Sequence, residues 1–71
     1  MNKFYRLEWF LEKEGDLKRR LFSNREVAER EYNEVKSALY NGCWISLDEF
    51  VEENEEEGFR DEYNQLHFVE L

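Results

Sequence analysis

Residues 22–42 read FSNREVAEREYNEVKSALYNG, and the spacing of the apolar residues in this stretch decides the fold. At 100° per residue, Val27, Ala28, Tyr32, Val35, Ala38 and Leu39 fall within one arc, the stripe of an amphipathic helix lying on another element. Ser23 and Glu26 have capping-box spacing, Phe22 and Val27 stand where a hydrophobic staple closes, and Asn41 with Gly42 supplies a stop. The expectation is a helix over residues 24–40. Glu26 with Arg30, and Arg30 with Glu34, are spaced as i,i+4 pairs on its polar side.

On either side of this helix the period changes from 3.6 to 2. Over residues 4–13, Tyr5, Leu7, Trp9 and Leu11 share one face and Phe4, Arg6, Glu8, Phe10 and Glu12 the other, which predicts a long strand. Glu14, Gly15 and Asp16 break the pattern at a hairpin turn, and residues 17–22 return antiparallel. After the helix, residues 43–47 read as a third strand with Cys43, Ile45 and Leu47 toward the helix and Trp44 and Ser46 away from it. Residues 48–57 admit two readings. Ser46 and Glu49 repeat the capping-box spacing, as for a short acidic helix over residues 48–57 ended by Gly58; alternatively the strand runs on to Val51 and then loops, the reading preferred here. Residues 63–69, with Leu66, Phe68 and Val69, close the chain as a last strand. The expected fold class is therefore α+β. Its order is ββαββ, a two-layer domain over residues 1–71 with one antiparallel sheet and one amphipathic helix on one face.

A chain of 71 residues buries only roughly 60% of the surface it exposes when unfolded, so its core must be thin. Aromatic residues make up 17% of it and let so short a chain bury enough area to fold despite 39% charged residues. The single cysteine, Cys43, has no partner for an internal disulfide, which points to a reducing compartment. The first ten residues lack the apolar run of a signal peptide, and no stretch is apolar enough to span a bilayer. A cytoplasmic protein is expected.

The net charge is −8, and its distribution carries more information than its size. Residues 1–41 hold nine Lys or Arg against eight Asp or Glu, whereas residues 42–71 hold ten acids against Arg60 alone. Such a field repels nucleic acid and anionic membrane and attracts basic protein surfaces. Direct nucleic-acid or membrane binding is not expected.

The chemistry-bearing inventory is short. Cys43 and His67 are the only residues of their kinds, and Cys43 begins a strand that faces the helix, where a thiol is buried and inert. One Cys and one His cannot build a structural zinc site, and the run from Glu52 to Gly58 lacks the alternating ligands and closing Glu of a calcium loop. No phosphate-binding glycine loop occurs, because Gly15, Gly42 and Gly58 are isolated. The expectation is a protein that is not an enzyme and takes no cofactor or metal.

Two features remain. Asp48, Glu49, Glu52, Glu53, Glu55, Glu56, Glu57, Asp61 and Glu62 place nine carboxylates in fifteen residues, a density that can imitate the phosphates of duplex DNA. This predicts a binding module for a basic nucleic-acid-binding protein. By analogy, it is an acidic inhibitor or DNA mimic of the kind phages encode. The second feature is aromatic: Phe4, Phe10, Phe22 and Trp44, joined by Phe50 where the strand runs on, are read onto the face away from the helix, as a homodimer or partner interface. Arg6 and Arg20 are expected to cover some of these rings. Lys18, Arg19 and Arg20 are expected to pair with Glu8, Glu12 or Glu31 rather than to grip phosphate.

Overall fold

The alternation near the N-terminus produces β1 (Asn2–Leu11) and β2 (Asp16–Phe22), joined at a turn where Gly15, at φ +61, donates its N–H to the Glu12 carbonyl at 3.3 Å. The structure is a computed structural model that describes residues 2–55 and 58–71; for residues 53–55 and 58–62 it describes the backbone. After β2 comes α1 (Arg25–Ala38), then β3 (Trp44–Glu55) and β4 (Gly58–Glu70), so the order is ββαββ.

The helix opens one residue later than the capping-box spacing implies. Asn24, extended at φ −121 and ψ 125, is the N-cap, and its Oδ1 accepts the Val27 N–H at 3.2 Å. Phe22 still pairs with Tyr5 in the β1–β2 ladder, so Ser23 serves as the link out of the sheet and the cap passes to Asn24. The helix also ends earlier than residue 40. Leu39 is already extended, with its N–H on the Lys36 carbonyl at 3.2 Å. The chain then turns through Gly42 at φ +97, where an added Cβ would stand 2.9 Å from Glu12 Cγ.

The four strands form one antiparallel sheet in the order β2-β1-β3-β4. Because β2 and β3 flank β1, the helix that connects them passes over β1. Ala28 and Tyr32 of α1 join Tyr5, Leu7, Ile45 and Leu47 in the buried core, with Trp9, Phe22, Val35, Leu39, Leu66 and Val69 packed around it. Of the expected helical stripe, Val27 and Ala38, which share one edge of the arc, stay exposed, while Ala28 and Tyr32 toward the other edge are buried. Between β3 and β4 the register slips at Leu47 and Asp48: Leu47 faces His67 and Asp48 faces Gln65. Leu66 is the extra residue of this bulge, and it packs against the core.

The strand expected to stop at Val51 runs to Glu55, and its partner starts at Gly58 rather than Tyr63. Neither an acidic helix nor a loop occupies residues 48–55. Acidic side chains are poor strand formers, but β4 supplies a ladder partner for every residue from Asp48 to Glu55, and that pairing overrides propensity.

Candidate functional site

Strand order sorts the charge. The edge strand β2 carries three cations and one acid, β1 two cations and one acid, β3 five acids and no cation, and β4 three acids and one cation. The basic and acidic portions of the sequence thus lie at opposite edges of one sheet. At the acidic edge, the β3–β4 pairing continues beyond the last β1 pair, Asn2 with Glu52, through Glu53–Arg60, Asn54–Phe59 and Glu55–Gly58. A two-stranded ribbon therefore projects past the end of β1.

The nine carboxylates do not form one surface. Asp48 is 2% exposed and belongs to the interior of the face away from α1. Its Oδ1 accepts the Tyr63 hydroxyl at 3.0 Å, and its Oδ2 accepts from Arg6 Nη2 at 3.4 Å. Asp48 is therefore removed from the acidic face, because its side of the strand is covered by partners from β1 and β4. Glu49 is half-buried and accepts from Asn64 at 3.4 Å. Glu52 is half-buried at the start of the ribbon. Glu56 and Glu57 lie outside the described residues, as do the side chains of Glu53, Glu55, Asp61 and Glu62.

The face away from α1 has a charged centre between two aromatic ends. Arg19 holds Glu8 through Nε at 3.0 Å and Nη2 at 2.8 Å, and Arg6 Nε lies 3.0 Å from the other Glu8 oxygen without hydrogen-bond alignment. At one end Phe10 stacks on Trp44, which meets Phe68; at the other Phe4 stacks on Phe50 at 4.9 Å, and Phe50 meets Tyr63 edge-on. Arg6 lies 4.8 Å over the Phe50 ring, as expected of a cation shielding this face. Phe22, read from the sequence onto this face, is on the other side. It stands opposite Tyr5 and packs under α1, because β2 pairs with β1 in a register that puts residues 17, 19 and 21 on the far face. Among the described residues, the large apolar side chains left exposed there are Leu17 at 51%, Leu21 at 63%, Tyr63 at 53% and Phe68 at 48%. Sequence reasoning missed all four as surface residues of this face. The signal that could have found the two leucines is the hairpin register, which places Leu17 beside Phe10 and Leu21 beside Arg6.

The other two cations of β2 are paired. Arg20 reaches Glu31 at 3.6 Å while lying 5.8 Å over Trp9, and Lys18 pairs with Asp16 at 3.0 Å. On the helix the i,i+4 ion pair is Arg25 with Glu29 at 3.9 Å. All four tyrosine hydroxyls titrate above the ordinary value of 10.0: Tyr63 through its hydrogen bond to Asp48 and then burial, Tyr5 through burial and then Glu49, Tyr32 through burial and then Glu29, and Tyr40 where the lowering by the Lys13 N–H is outweighed by burial and Cys43.

Cys43 is 1% exposed. His67 stacks on Tyr32 and pairs with Glu29. His67 stands opposite Leu47 whereas Cys43 pairs with Leu71, which separates the two by four residues along the sheet, about 13 Å. Among the described residues, no helix is long and apolar enough to cross a membrane.

The class this fold defines is a small α+β domain, a four-stranded antiparallel sheet with one helix. In comparisons with known proteins, no family model, curated protein or solved structure matches this chain.

Proposed function

We propose that this chain is a non-catalytic, cytoplasmic protein-binding module that works by charge, occupying the basic groove of a nucleic-acid-binding protein as a phage-type acidic inhibitor does. In this reading the domain is two-layered, with the amphipathic α1 as a brace behind the sheet, and it takes no cofactor. The observation that supports it most is the β3–β4 ribbon. Eight carboxylates besides Asp48 fall between residues 49 and 62. The paired length from Asp48 to Glu55 is about 23 Å. That is one charge per about 3 Å, against about 1.7 Å of axis in duplex DNA. The ribbon projects past β1, so a groove can receive it without contact from the rest of the sheet.

The test is capture from bacterial lysate on the tagged protein with elution by salt and by added duplex DNA. The expected result is a nucleic-acid-binding protein that both eluents release and that the triple reversal Glu52→Lys, Glu53→Lys, Glu55→Lys no longer retains. Surface charges contribute little to stability, so the reversed protein should still fold. Retention of the same partner by the reversed protein would remove the ribbon from the binding surface.

A further inference from the structure

The sheet ends in two unlike edges, β2 and β4, and we infer that the β2 edge of one copy of this chain pairs with the β4 edge of the next. Neither strand has a second neighbour in the sheet, and no proline interrupts either. Each therefore presents a row of backbone N–H and C=O groups that a further strand can take. Every neighbouring pair in the order β2-β1-β3-β4 is antiparallel, so β2 and β4 run in opposite directions. A copy set beside the first by translation and sheet twist thus offers an antiparallel partner, with α1 on the same side of the extended sheet. Because the number of strands is even, the outward backbone groups of the two edges also belong to residues of the same sheet face, as a ladder between them requires.

The side chains then choose the register. On the face away from α1, β2 shows Leu17, Arg19 and Leu21, apolar at both ends with a cation between. On the same face of β4 stand Tyr63, Gln65 and Phe68, opposite Phe50, Asp48 and Ser46, so the Leu66 bulge leaves these three at the same two-residue spacing. Antiparallel pairing of the edges with Arg19 opposite Gln65 sets Leu21 beside Tyr63 and Leu17 beside Phe68. It thereby joins the four large apolar side chains exposed there among the described residues. Cross-strand pairs of this kind are the unit that stabilises a sheet. On the helix side the same register puts Arg20 opposite Asn64 and Lys18 opposite His67, whose ring pairs with Glu29.

Charge selects this pairing over the two symmetric ones. β2 carries three cations and one acid, and β4 three acids and one cation. A two-fold pairing of two β2 edges centred on Arg19 sets Arg19 against Arg19 and Lys18 against Arg20. The corresponding pairing of two β4 edges, centred on Gln65, brings the positions of Asp61 and Glu70 opposite each other. Like charges directly opposite are destabilising. In the unlike pairing no Lys or Arg meets another, and no Asp or Glu meets another. Four strands about 4.8 Å apart make each copy about 19 Å wide, more than the roughly 10–12 Å of a helix, so successive α1 helices clear one another. The contact is heterologous and does not close. With a twist of roughly 20–25° per strand, each copy turns by about 90° and the product is a twisted filament. The ribbon pairs from Glu53 with Arg60 onward lie outside this register.

Sedimentation of the whole chain tests this. Between about 10 μM and about 1 mM the expected mass rises from 8.8 kDa past the dimer without a plateau. Two variants at exposed positions block one edge each: Leu17→Asp with Leu21→Asp on β2, and Phe68→Asp on β4. Each alone should stay at 8.8 kDa with an unchanged circular dichroism spectrum. An equimolar mixture of the two should form a dimer and nothing larger, since one intact β4 edge then meets one intact β2 edge; misfolded variants do not recover on mixing. The reversal Glu52→Lys, Glu53→Lys, Glu55→Lys should leave the growth in place, which separates this inference from the ribbon reading. A wild-type chain still monomeric at about 1 mM would overturn the inference, as would a wild type that stops at the dimer. So would growth of either blocked variant as far as the wild type, or a mixture of folded variants that stays monomeric where the wild type grows.

Discussion

Tyr63 and Asp48 are partners across β4 and β3: the phenol donates to Oδ1 at 3.0 Å and lies over a carboxyl that is 2% exposed on a sheet face α1 does not cover. The carboxylate is shielded by side chains from its own face, Tyr63 on one side and Arg6 on the other. Asp48→Ala removes an acceptor from both. Arg6 keeps Glu8, so the loss falls short of a fully orphaned buried charge and should be about 2 kcal/mol. Tyr63→Phe should cost about 1 kcal/mol. Urea midpoints at neutral pH measure both, and a change below about 0.5 kcal/mol for Asp48→Ala would mean the carboxylate behaves as a surface group.

The tyrosines predict an alkaline limit. Tyr5, Tyr32 and Tyr63 titrate above 10.0 in the folded state, so below that pH both states are protonated and these groups add no pH dependence. Above it the unfolded chain loses its protons first, and stability falls as pH rises toward the folded values. Unfolding midpoints between about pH 9 and 11 should therefore decline, and the decline should be shallower in Tyr63→Phe. Equal slopes in the two proteins would dissociate Tyr63 from the effect.

The two candidate caps of α1 can be separated. Asn24→Ala deletes the acceptor of the Val27 N–H and should cost about 1 kcal/mol. Ser23→Ala should stay within about 0.5 kcal/mol. Thermal unfolding followed by far-ultraviolet circular dichroism would rank them, and the reverse ranking would restore the Ser23 capping box.

The two left-handed glycines differ in their surroundings. At Gly15 an added Cβ meets nothing within 4 Å, so Gly15→Ala should cost about 1 kcal/mol from φ +61 alone. At Gly42 the same change meets Glu12 Cγ at 2.9 Å in addition to φ +97, and the loss should be larger. The double variant Gly42→Ala with Glu12→Ala should recover part of that excess, since the Cβ of residue 12, 3.2 Å away, remains; chemical denaturation of the two single variants and the double variant would show this as non-additivity.

Core truncation gives the scale for these effects. Leu7 and Ile45 are fully buried at the centre of the cluster under α1, and Leu7→Ala or Ile45→Ala should each cost about 2 to 4 kcal/mol. Denaturant titration measures this, and a loss under about 1 kcal/mol would show the core to be loosely packed.

The hairpin, the helix and the facing of Tyr5, Leu7, Ile45 and Leu47 were legible because each is written in local periodicity. Periods of 2 and 3.6 depend only on neighbours along the chain. The extent of β3 was not legible, because seven of its twelve residues are acids, Asn or Ser. Their strand state comes from a partner strand that begins at Gly58, not from their own preference. The helix start was legible to within one residue, with the choice between Ser23 and Asn24 made by how far β2 stays paired.

The sequence by itself determined the element order, the core-facing side of β1 and of the start of β3, and the division of charge between the first 41 residues and the last 30. Only the tertiary structure decided which strand lies at which edge, and hence that basic β2 and acidic β4 stand farthest apart. It also decided that Asp48 is buried rather than displayed and that Phe22 lies under the helix. The reason is that burial of a charged or aromatic side chain depends on what crosses over it. For Asp48 those partners are Arg6 and Tyr63, 42 and 15 residues away along the chain, distances at which no local period carries information.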